Sequence, residues 1–239
     1  MWARGMSPCS SRYNRVMYDL TLVQKLAVMI LPVVFAVTVH EAAHGWVADR
    51  LGDKTARDLG RVTFNPMPHI DLVGTILLPL GLYALSSMAG GVGFLFGYAK
   101  PVPVNAARLH KPRRDMALVA VAGPAANLLM AICWAAVAAS ARYVGGDYPM
   151  IGLFLFQAGV FGVLINAFLL VLNLLPILPL DGGRVLASLL PVQLARGYAK
   201  LEPFGLIILL VLLLSGTLSP VILPLVSGLQ QFLLGWLMG

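Results

Sequence analysis

The feature that most limits what this chain can fold into is a series of long apolar stretches that hold almost no charge. They run over 20–44, 72–88, 116–141, 151–175, 204–214 and 221–237. Crossing a hydrocarbon core of about 30 Å takes about 20 apolar helical residues. In such a solvent every backbone amide has to be satisfied within its own segment. Helices do this and isolated strands do not. Composition agrees: 59% of the 239 residues are hydrophobic and 11% are charged, against about 25% charged in an ordinary soluble domain. The expected fold is an all-α polytopic membrane protein with about six transmembrane helices. The Gly-rich, aromatic segment 90–99 is expected to form a re-entrant strand or loop.

A net charge of +7 raises the question of nucleic acid, but no basic run with interleaved aromatics lies in a soluble segment, and none is expected as a partner. The charges read instead as topology. Arg50, Lys54, Arg57 and Arg61 fall in loop 49–69; Lys100, Arg108, Lys111, Arg113 and Arg114 in loop 100–114; Arg184, Arg196 and Lys200 in segment 179–203. Together they make twelve of the 17 basic residues. The positive-inside rule puts all three loops in the cytoplasm. The stretch between the first two must then enter the membrane and return, with Gly90-Gly91 as the natural turn. This arrangement leaves Arg4, Arg12, Arg15 and Lys25 on the outer side, against the rule. Residues 1–19 are read as a disordered segment or one preceding the natural start, with Met6 or Met17 as alternatives. Residues 20–239 are read as a single transmembrane domain. Two cysteines, Cys9 and Cys133, make no disulfide framework, and Cys133 is read as a packing residue inside an apolar helix.

The chemistry concentrates in His40-Glu41-Ala42-Ala43-His44. Residues four apart share one helix face, so both imidazoles reach one zinc ion. The intervening glutamate lies about 100° around the helix, within reach of a water activated at the metal. With four His and two Glu in the chain, a shuffled sequence shows this pattern roughly once in a few thousand trials. A metal-free, hydrogen-bonded His pair is the bland alternative, and ionisable groups inside a membrane are too costly to favour it. His40 lies fifteen residues beyond Lys25, about 22 Å along a helix and still below the headgroups.

Catalytic zinc sites use three protein ligands and an open position. His69 follows two prolines in a polar loop and His110 lies in a basic one. Asp181 is better placed. It is the only acid between Asp147 and Glu202, and it follows an apolar segment that ends on the cytoplasmic face. Pro176 and Pro179 break the helix there, and Gly182-Gly183 permit a tight turn. The alternative is a helix-terminating aspartate facing water.

HEAAH on an apolar helix, GPAAN at 123–127 and the run Asn173-Leu-Leu-Pro-Ile-Leu-Pro-Leu-Asp181-Gly-Gly resemble the site-2 protease family of intramembrane metalloproteases. The resemblance extends from about residue 20 to 203. It implies one zinc held by His40, His44 and Asp181, Glu41 as catalytic base, and Asn173 as a polar helper. It further implies hydrolysis of membrane-spanning protein substrates, in a minimal form without PDZ-like or CBS-like domains. The expected setting is a prokaryotic plasma membrane with the site toward the cytoplasm. Gly93–Tyr98 is a candidate edge to hold an unwound substrate, with a simple packed loop as the alternative. A transporter or channel with a His/Glu/Asp metal or proton site is the runner-up; no second copy of HEAAH or PLDGG supports it.

Overall fold

A computed structural model of the chain describes residues 21–77, 81, 97 and 99–238. Seven helices of eight residues or more organise these residues: α1 (Leu22–Arg50), α2 (Pro112–Val144), α3 (Pro149–Asn173), α4 (Asp181–Leu189), α5 (Val192–Ala199), α6 (Gly205–Leu214) and α7 (Ser219–Met238). No strand occurs among the described residues. Among the described residues, five stretches are long and apolar enough to cross a membrane: Leu26–Arg50, Pro112–Val144, Pro149–Asn173, Val192–Leu214 and Ser219–Leu237. Four match apolar segments read from the sequence, and the short fifth segment gains length from α5. Of the remaining expected crossing, 72–88, only 72–77 and Gly81 are described, with 72–77 forming a π-helical turn. The expected re-entrant element at 90–99 lies outside the described residues apart from Gly97 and Ala99.

Large apolar side chains project from these helices with nothing over them. Ile30, Leu129, Ile207, Phe232 and Trp236 are each more than half exposed. In water such a surface drives aggregation; in lipid it is the expected exterior.

Contacts divide the chain into two compact units. The first comprises Met1–Ala36, Leu128–Leu169 and Pro220–Gly239. Its buried residues include Val28, Ala131, Trp134, Ala135, Ala158, Val163 and Leu233. Small residues let α2 and α3 approach closely here. A β-carbon on Gly159 would stand 2.5 Å from the Ala138 backbone nitrogen, and one on Gly162 2.3 Å from the Trp134 ring. Where lipid removes the hydrophobic drive between helices, such contacts supply the attraction. Asn166 is fully buried, and its amide donates to the Gly162 carbonyl one turn back. Cys133 is exposed on α2, which corrects its reading as a packing residue; the helix turns its alanine face inward instead.

The second unit comprises Val37–Asn127 and Leu170–Ser219. The turn after α1 passes through Gly52, whose φ of 109° is one that residues with a side chain rarely adopt. A β-carbon there would also meet His110 and the Arg108 carbonyl. The three basic segments are bonded to one another within this unit. His110 N donates to Leu51 O at 3.0 Å and Lys100 N to His69 O at 2.9 Å. Arg113 reaches the carbonyls of Ser188, at 3.0 Å, and Leu190. Loops so joined share one side of any bilayer that the helices cross.

Candidate metal centre

α1 presents His40 and His44 one turn apart, and both are buried. Each ring is held at its inner nitrogen by an oxygen. His40 Nδ1 lies 2.6 Å from Asn127 Oδ1, and His44 Nδ1 lies 2.7 Å from the Val119 carbonyl. An amide or carbonyl oxygen can only accept, so both Nδ1 atoms carry the proton and both Nε2 atoms are left with lone pairs. The two Nε2 atoms stand 3.0 Å apart. Asp181 Oδ2 lies 3.3 Å from one and 3.4 Å from the other. It is buried and receives no hydrogen bond.

Three electron-pair donors thus converge on one point, all ligand atoms within 4.8 Å of one another. Bare, they repel. A divalent cation among them reverses the sign of every interaction. The spacing suits zinc: tetrahedral bonds of about 2.0–2.1 Å set ligand atoms about 3.3 Å apart, against the 3.0, 3.3 and 3.4 Å found here. The donor set, two imidazoles and a carboxylate, also belongs to catalytic zinc chemistry.

Local sequence explains how each donor arrives. A β-carbon on Gly123 would lie 2.4 Å from His44 Nε2 and 2.5 Å from His40 Cε1. Glycine is therefore what lets α2 close on the imidazole pair, with Asn127 one turn further along to hold His40. After α3 ends at Asn173 the chain turns through Pro176 and Pro179, and α4 begins at Asp181. The glycines that follow are helical, rather than the tight turn expected of them. Their need is space: β-carbons on Gly182 and Gly183 would meet the Leu174 carbonyl at 2.3 Å and Leu178 N at 2.5 Å. Packing α4 against its own incoming strand of chain brings the carboxylate back to α1.

Glu41 is half-buried, and its Oε2 accepts a 2.7 Å hydrogen bond from the Val102 amide. A cavity of about 140 Å³ is lined by His40, Glu41, His44, Asn173, Asp181 and Arg184, among others. All five residues singled out from the sequence therefore meet at one cavity. His69 is buried elsewhere, with Nε2 3.2 Å from the Thr63 carbonyl, and His110 stands against Gly52; neither joins the group. In the sequence, Gly123 and Asn127 stand out only as part of the GPAAN motif, which does not tell that they face the two imidazoles. The Val119 carbonyl and Val102 amide escaped it altogether, since any residue supplies a backbone group.

Comparison with known proteins follows the same lines. The family description "Peptidase family M50" matches residues 28–145. "Putative zinc metalloprotease YwhC" of Bacillus subtilis is 34% identical over 88% of this chain and 90% of its own length. "Putative zinc metalloprotease Rip2" of Mycolicibacterium smegmatis is 32% identical over 75% of this chain and 64% of its own length. The Mycobacterium tuberculosis protein of the same name is 34% identical, with the same two coverages. No solved structure matches the chain.

Proposed function

The chain belongs to peptidase family M50, and from that premise we propose that it is a zinc metalloprotease of the site-2 type, hydrolysing peptide bonds of membrane-spanning proteins within the bilayer. The observation that carries this reading is the near-tetrahedral spacing of three buried, otherwise unpaired ligand atoms beside a glutamate on an apolar helix. His40, His44 and Asp181 would hold one zinc. When bound, zinc supplies Lewis acidity, making water acidic enough to lose a proton near neutral pH and polarising a carbonyl.

The remaining chemistry belongs to the protein. Asn127 and the Val119 carbonyl fix the imidazole tautomers, a restraint that orients ligands and raises their basicity. Glu41, next in sequence to His40, takes the proton from the attacking water and returns it to the leaving amine. Asn173 reaches the same cavity, where its amide can donate to the carbonyl oxygen as negative charge develops. A helical substrate hides its carbonyls in its own hydrogen bonds, so it has to unwind before it enters.

The five apolar stretches place the protein in a membrane. By the positive-inside rule, the three bonded basic loops and the adjoining site face the cytoplasm, in a plasma membrane. On this reading residues 20–239 act as one catalytic transmembrane domain, and the substrate is a membrane-spanning protein.

Purification in detergent, elemental analysis and an assay on a model single-span peptide test this proposal together. One zinc per chain is expected, with cleavage of the peptide. Glu41→Gln should lower the rate by about a thousandfold while keeping the metal, and Asp181→Ala should lose the zinc. Full activity in the first variant, or unchanged zinc in the second, would refute the assignment.

A further inference from the structure

The general base is held from outside its own helix, and the group that holds it is unusual. Val102 stands between Pro101 and Pro103, neither of which has an N–H, so its amide is the sole backbone donor in that tripeptide. Both prolines also stiffen the segment into an extended path. That donor is spent on Glu41 Oε2 at 2.7 Å. The Val102 side chain is buried and packs so closely on α1 that a β-carbon on Gly45 would be 3.2 Å from it.

Both ends of the segment are tied to the loop that follows α1. At the leading end the Arg61 guanidinium donates to the carbonyls of Lys100, at 2.9 Å, and Pro101, at 3.3 Å. At the trailing end fully buried Asp53 accepts from the Asn105 amide at 2.6 Å through one oxygen. Its other oxygen accepts from the Thr55 amide at 3.0 Å. A carboxylate with two oxygens committed to different segments works as a clamp, since moving either segment leaves a buried charge unsatisfied.

We infer that Asp53 and Arg61 are positioning residues for the reaction: they hold segment 100–105 so that the Val102 amide aims the Glu41 carboxylate. This rests on the protease reading above. A carboxylate on a flexible two-carbon stem rotates freely unless one oxygen is fixed, and base catalysis needs the other oxygen within hydrogen-bond reach of the water. Metal binding does not depend on that rotation.

The test compares wild type with Val102→Pro, Arg61→Ala, Arg61→Lys and Asp53→Asn, all as the full chain in detergent. Zinc content is measured alongside kcat and KM on the model single-span peptide. Val102→Pro deletes the donor while keeping an apolar side chain, and should cost about 100-fold in kcat. Arg61→Ala and Asp53→Asn should each cost about tenfold, with Arg61→Lys recovering part of the loss. Zinc should stay at one per chain throughout and KM should hold within about twofold, because ligands and substrate contacts remain. If kcat in Val102→Pro stays within about twofold of wild type, the inference falls. It falls equally if zinc is lost with activity in that variant, since the segment would then support the fold and not the base. A wild-type protein that binds zinc but leaves the peptide uncut would remove the protease reading first, and this inference with it.

Discussion

The two compact units of this chain solve the same problem, burying helix against helix in an apolar setting, with different materials. In the unit built on Leu128–Leu169 and Pro220–Gly239, the buried residues among those described are mainly alanine and valine, with Gln157 and Asn166 as their polar companions. In the unit holding Val37–Asn127, buried polar and charged groups include Thr38, His40, His44, Asp53, His69, Asp115, Asn127 and Asp181. Both use glycine for close approach, but the neighbour differs. Gly159 admits a helix backbone, whereas Gly123 admits two imidazoles. In the first case the glycine serves packing alone; in the second it shapes a reactive site. Identical chemistry at the α-carbon thus carries different consequences, set by what stands opposite.

The sharpest way to break this comparison is to add the same methyl group in both places. Gly123→Ala puts a β-carbon 2.4 Å from His44 Nε2, with both histidines fixed from behind by Asn127 and Val119. Neither ring can retreat without losing its partner. Cleavage should fall by about 100-fold or more, and zinc per chain should fall with it. Gly159→Ala should cost about 1–3 kcal/mol of stability through overpacking, visible as a lower melting temperature in detergent, with zinc content unchanged in the folded fraction. Equal loss of zinc in both variants would mean that the units do not divide labour as described.

Two buried asparagines give a gentler version. Asn127→Ala removes the acceptor that holds His40 Nδ1, and loss of such a partner costs about 10–100-fold in metal affinity. A chelator competition assay reads it directly. Asn166→Ala removes a bond to the carbonyl one turn back and should leave metal affinity alone. A metal affinity in Asn127→Ala equal to that of wild type would show that the tautomer does not need this restraint.

How far the site was legible in the sequence follows from how local each part is. His40, Glu41 and His44 lie within five consecutive residues, so helical spacing alone aligns them. Asp181 could be read because it is an isolated acid beside a proline-broken helix end. The helix limits were less legible: α1 continues to Arg50 and α2 begins at Pro112, past the apolar stretches, because charged residues at a helix end extend to the membrane surface at little cost. Gly182-Gly183 were rightly seen to matter, though for the space beside Leu174 and Leu178 and not for a turn. The clamp of Asp53 and Arg61 on 100–105 joins residues about 40–50 positions apart through backbone groups, and no spacing rule reports such a contact.

Asp53 supplies the smallest effect and the one with a direction fixed in advance. Burial opposes its ionisation, but hydrogen bonds from Thr55 and from the Asn105 amide, with Arg108 nearby, outweigh it and lower its pKa below the ordinary carboxylate value. A group whose folded pKa is depressed adds stability that is complete above its unfolded value, about 3.9. That stability is lost as pH falls through the folded value. Melting temperatures of wild type and Asp53→Asn, measured in detergent, should therefore differ by a constant amount from about pH 5 upward. Below about pH 4 the two should draw together, because protonated aspartic acid and asparagine present similar groups to Thr55 and Asn105. A gap that widens on acidification would reverse the sign of the linkage, and with it the claim that this clamp works as an anion.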